Sequence, residues 1–199
     1  MTREVFAYDE PERFVVGTVG EPGSRTFFLQ ARAGSRLTTV ALEKEQVAVL
    51  AERLDALLDE VVRRTGGDPS VPAIAPAELT DAAPLDQPIE EEFRVGTLTL
   101  AWDAEANRAV IEAIAVGPAG EDEDVADPGD TDDGAEEAAE VEDARSLLVV
   151  RLGGAMARAF VVRALAVVGA GRPPCPLCGQ PLDPEGHVCP RQNGYRRRG

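Results

Sequence analysis

Phe14-Val15-Val16-Gly17-Thr18-Val19 returns later in the chain as Phe93-Arg94-Val95-Gly96-Thr97-Leu98. Both blocks read F-x-V-G-T-[VL], and each opens a similar succession of segments, so the chain reads as two copies of one plan. Around the first block, Arg13–Val19, Thr26–Ala33 and Arg36–Leu42 are rich in Val, Phe, Thr and Leu, residues suited to a pleated, half-buried surface. Glu21-Pro22-Gly23 and Ala33-Gly34-Ser35 supply the turns between them. A helix follows from about Glu43 to Arg64. Its Val47, Leu50, Leu54, Leu57, Leu58, Val61 and Val62 recur at helical spacing as a core-facing stripe, and Gly66-Gly67 ends it.

The second block opens strands at Glu92–Trp102, Arg108–Val116 and Ser146–Leu152, closed by a helix at Ala155–Val168. Two βββα units predict an α+β fold: one antiparallel sheet with helices on one face, occupying residues 1–170. Each unit alone would bury a marginal core, which argues against two separate domains. Asp68–Gln87, rich in Pro and Ala, links the halves. Gly17 and Gly96 each fall inside a predicted strand, where glycine marks a bulge or a close approach of backbone or helix. The alternative is a symmetry-related pair of ligand clefts. No phosphate-cradling glycine pattern of either common kind occurs.

Composition places the acidity locally. Hydrophobic residues make up 44% of the 199, enough for a packed core, with Ala and Val replacing scarce aromatics. The formal charge is −16, and thirteen carboxylates with no Lys or Arg lie between Glu121 and Asp143, accounting for all but three of those charges. Residues 117–144 also carry Pro118, Gly120, Pro128, Gly129 and Gly134, so the tract predicts a disordered, solvated insertion at a hairpin tip. The bland reading is a solubilising loop; the sharper one is an electrostatic decoy for a basic partner or for the basic C-terminal tail. The most apolar stretch, Leu147–Ala170, is interrupted by Arg151, Arg158, Arg163 and Gly153-Gly154, so no membrane span is expected. The N-terminal stretch has no apolar signal region.

All three cysteines and the only histidine lie within fifteen residues, at Cys175, Cys178, His187 and Cys189. Four soft or borderline ligands predict a closed Cys3His zinc site in a small knuckle spanning residues 171–199. Cys-x2-Cys followed by Gly179 makes a tight turn that aims both thiolates at one ion. His187 and Cys189 point to the same side if their segment is extended. A disulfide would leave one cysteine over, and a redox Cys-x2-Cys normally sits in a βαβ context. Zinc with four protein ligands has no position left for water, which favours a structural role over catalysis. Thiolate ligands without a disulfide framework also favour a reducing, cytoplasmic compartment.

Other chemistry is sparse. The metal claims the single histidine, Lys44 reads as a surface charge, Glu90-Glu91-Glu92 as solvated, and Glu112 has no partner by spacing. The chain is therefore read as a non-enzymatic adaptor or regulator with a protein partner. Nucleic-acid binding is the second class: Arg191, Tyr195, Arg196, Arg197 and Arg198 follow the knuckle and offer cations and one stackable ring. The acidic insertion opposes it by repelling phosphate.

With the F-x-V-G-T block, the Leu-rich helix, the acidic insert and the terminal CPLCGQPLDPEGHVCPRQNGYRR in view, the chain resembles an actinobacterial family of uncharacterised conserved proteins. The resemblance implies a bacterial, cytoplasmic protein with zinc-ribbon-like ligands at Cys175, Cys178, His187 and Cys189. Nineteen arginines against one lysine agree with a high-GC genome. As an alternative the resemblance implies kinship with ParJ, which acts on the chromosome-partitioning ATPase ParA; no motif of the chain carries that link.

Overall fold

The computed structural model describes residues 3–21, 23–67, 70–117 and 145–170, together with Cys175, Leu177 and Cys189. In chain order the elements are β1 (Val5–Asp9), β2 (Arg13–Val19), β3 (Thr26–Ala33), β4 (Arg36–Leu42), α1 (Lys44–Thr65), β5 (Phe93–Asp103), β6 (Arg108–Ala115), β7 (Leu147–Gly153) and α2 (Gly154–Gly169). A 3-10 turn, Ala77–Leu79, lies in the linker. The two βββα runs are thus β2-β3-β4-α1 and β5-β6-β7-α2. Residues 118–144, where disorder is expected, lie outside the described residues. The strands on either side of them, β6 and β7, pair antiparallel from Arg108↔Gly153 to Ile114↔Leu147, as β3 and β4 pair across Gly34-Ser35.

The sheet is mixed, not antiparallel. Its order is β1-β7-β6-β5-β4-β3-β2, with β4 and β5 parallel and β1 and β7 parallel. The first parallel joint arises because α1 carries the chain back before β5 begins, the ordinary consequence of a helical crossover. The second involves β1, a strand that the sequence reading omits. Its five residues alternate too weakly to stand out, and its partner, residues 147–151, is remote in sequence.

The sheet is also strongly curled. β1 and β4 are four places apart, about 19 Å in a flat sheet, yet the Tyr8 and Thr38 hydroxyls are hydrogen-bonded at 2.8 Å. Arg36 lies over the Tyr8 ring, 4.1 Å from its centroid, and the Phe6 and Phe93 rings are 6.3 Å apart. Glu10, Pro11 and Glu12 alone connect β1 to β2, which form opposite edges of the sheet. Glu10 adopts a positive φ of 49° at this corner, and Arg108 secures it by pairing with Asp9 and with Glu10 at 3.1 Å.

The concave face receives both helices. Val47, Leu50, Ala51, Leu54, Leu58 and Val61 of α1 join Ala157, Phe160, Val161 and Ala164 of α2 against Phe14, Val16, Leu29, Val40, Ile111 and Val150. Phe14 and Phe160 stack with centroids 4.7 Å apart. Gln46 closes the start of α1 by accepting from the Glu43 amide at 2.9 Å, and Gly66, at φ 70°, ends it as the sequence predicts. Arg158, 5% exposed, ties the helices together by pairing with Asp55 and Asp59.

The linker covers the convex face of the first half. Gln30 exchanges hydrogen bonds with the backbone of Asp86, donating to its carbonyl at 3.0 Å and accepting from its amide at 2.8 Å. Leu85 lies over Gly17, where an added Cβ would sit 2.7 Å from the leucine Cγ. Close approach is thus the role of Gly17. Gly96 has the other role: the β5–β6 register slips between Val95 and Thr97, a bulge, and the backbone of Val116 leaves 3.0 Å for a Cβ there.

Gly17→Ala is expected to destabilise the protein by about 1–3 kcal/mol in urea denaturation, because the added methyl would overlap the buried Leu85 side chain and force it to shift. The penalty for that added methyl shrinks in a Leu85→Ala background, which a double-mutant cycle reads directly.

Candidate functional site

The C-terminal end of α2 leads toward the predicted metal ligands. The Ala170 amide donates to the Ala166 carbonyl at 2.9 Å, and Arg25 Nη1 donates to the Ala170 carbonyl at 2.7 Å, which fixes where the helix stops. Beyond it, Cys175 and Cys189 are both buried, 6% and 3% exposed. Their Sγ atoms are 3.9 Å apart. A disulfide needs about 2.05 Å, whereas two thiolates about 2.3 Å from one tetrahedral ion stand about 3.8 Å apart. The Leu177 amide points at Cys175 Sγ at 3.4 Å, the N–H···S contact that a turn makes when it steadies a thiolate.

Two of the four expected ligands are therefore together. Cys178 and His187 lie outside the described residues, as do Arg191, Tyr195, Arg196, Arg197 and Arg198. Among the described residues no three His, Cys, Asp or Glu side chains converge in a metal-holding group. The sulfur pair fits the donor chemistry and spacing that zinc requires.

A second constellation escapes sequence reading altogether. Asp81 receives Arg13 Nε at 2.6 Å and Arg163 Nη1 at 2.7 Å, while Asp86 faces Arg13 Nη1 at 3.0 Å and Arg32 Nε at 3.2 Å. Arg163 also donates to the carbonyls of Val16, Asp81 and Ala83. The cluster clamps the linker onto the β2 edge and α2. Its members come from five places in the chain, and no spacing rule joins them. The hydrogen bond from Arg13 holds the Asp81 carboxyl below its usual range, against a smaller opposing effect of burial. That same bond raises Arg13, whereas burial pulls Arg163 down.

The remaining carboxylates are accounted for plainly. Glu112 accepts from the Thr99 hydroxyl at 2.8 Å, and Arg108, its neighbour by sequence, turns instead to Asp9 and Glu10. Glu90, Glu91 and Glu92 are exposed. The paired-cleft alternative for the two glycines fails at Gly17, where Leu85 fills the space. Among the described residues no helix is long and apolar enough to cross a membrane.

These features define an α+β protein with two helices on a curled seven-stranded mixed sheet and a buried thiol pair following the last helix. Residues 6–189 match a family described as "Protein of unknown function (DUF3090)", and the chain belongs to that family. The matched span contains all four cysteine and histidine candidates and stops before Arg191. No curated protein and no solved structure matches the chain.

The clamp makes stability depend on acid. The folded Asp81 value lies below the ordinary 3.8, so its contribution is complete above that value and is lost as pH falls through the depressed one. The urea midpoint of the unaltered protein should drop as pH falls below about 4. Asp81→Asn should start lower at neutral pH and lose less over the same interval.

Proposed function

We propose that this protein is a non-enzymatic adaptor or regulator whose C-terminal residues form a zinc knuckle that presents a protein-binding surface. The observation that carries the reading is the buried Cys175–Cys189 pair, 3.9 Å apart and too distant for a disulfide. Cys175, Cys178, His187 and Cys189 would hold the ion, and four protein donors leave it no open position for a substrate or water. The zinc then acts by contributing folding energy to a segment too short to bury a core of its own.

Protein contact is preferred to nucleic-acid contact for two reasons. The basic tail from Arg191 onward falls beyond the family match, and the acidic run repels phosphate. Leu177, 48% exposed beside a buried sulfur, supplies an apolar contact of the kind that partner surfaces use. Cytoplasmic residence accords with reduced thiols.

The purified protein should carry one zinc per chain by elemental analysis. Cys178→Ser and Cys189→Ser should each lose it to a chelator at concentrations that leave the unaltered protein loaded, and should lose partners captured from cytoplasm by the full chain. A metal-free protein whose residues 171–199 resist protease equally with and without chelator would end this reading.

A further inference from the structure

β4 accompanies β5 only at Val40↔Phe93 and Ala41↔Arg94, because β4 stops at Leu42 and the chain turns into α1. β5 runs on to Asp103 with β6 along its other side. Gln46 Nε2 donates to the carbonyls of Val95 and Gly96, at 3.1 and 3.2 Å. Past that point, from Thr97 to Ala101, the α1 side of the β5 backbone has no strand partner among the described residues. A groove of about 430 Å³ follows this edge, with Val49, Leu50, Leu98 and Leu100 in its walls and Glu45 and Arg53 at its rim. Val49 is 54% exposed.

The charges at the rim are placed with a symmetry. Glu45 and Arg53 stand four residues before and four residues after Val49, so all three share one face of α1. No ion pair among the described residues includes either charge.

The geometry points to a second copy of this chain as the occupant, packed about a twofold axis that passes beside Val49. A twofold contact matches each residue to its mirror position on the partner. Antiparallel α1 helices centred on Val49 therefore set Glu45 of each copy opposite Arg53 of the other, giving two ion pairs flanking an apolar contact. The same axis lays the two β5 edges antiparallel, so the helical layer and the sheet both continue across the junction. An unrelated extended peptide could pair with the β5 edge, but it would not require opposite charges equidistant from one exposed valine. The inference does not depend on zinc.

Sedimentation of the full chain as purified, over micromolar concentrations, tests it, with circular dichroism checking that each variant keeps its fold. The unaltered protein should be a dimer. Arg53→Glu or Glu45→Arg alone should weaken dimerisation by about tenfold or more, since each converts two attractions into two repulsions. Combining Glu45→Arg with Arg53→Glu should restore it. A monomer throughout the range, a dimer indifferent to the single reversals, or a double variant that stays dissociated would each overturn the proposal.

Discussion

Three residues hold the two margins of a seven-stranded sheet together. Because Glu10, Pro11 and Glu12 are all that separate β1 from β2, the sheet cannot lie flat, and its curl creates the hollow that both helices fill. The Tyr8–Thr38 bond and the Arg36 contact with the Tyr8 ring maintain that curl across the hollow. The corner itself is partly strained, with a glutamate in the left-handed region, and two acidic side chains there are neutralised by Arg108. Burial of the α1 and α2 stripes follows from this closure.

Much of the fold was legible because its signals are local. Arg13–Val19, Thr26–Ala33 and Arg36–Leu42 are strands with those bounds, since β-branched and aromatic residues alternate between sharp turns. The α1 stripe and its Gly66 stop likewise need only a few neighbouring residues to be recognised. What could not be read depends on partners far along the chain. Strand β1 is stabilised by residues 147–151, the parallel β4–β5 joint by the route of a helix, and the Asp81 clamp by arginines at positions 13 and 163. Gly17 and Gly96 share a sequence block yet serve different ends, one a notch for Leu85 and one a bulge, because their surroundings differ.

The candidate metal centre was legible by elimination: a chain with three cysteines and one histidine, all in one short stretch, leaves little else to consider. Spacing names four candidate donors, of which Cys178 and His187 lie outside the described residues. It could not say that Cys175 and Cys189, the first and last of them, would lie side by side and out of contact with water. Nor could composition anticipate that the linker would cover one convex half of the sheet. Its Pro and Ala content signals extended backbone, and Gln30, Arg13, Arg32 and Arg163 together give that segment a place to bind.

The pairing of β1 with β7 also bears on how the chain is made. Residues 5–9 are synthesised well before the strand they join, residues 147–151. During that interval β2, β3, β4 and α1 can form by short-range contacts, while the amino-terminal strand waits with its apolar side uncovered. Completion of the sheet thus waits for β7 to be made, and the interval before it leaves the β1 edge open to misassembly.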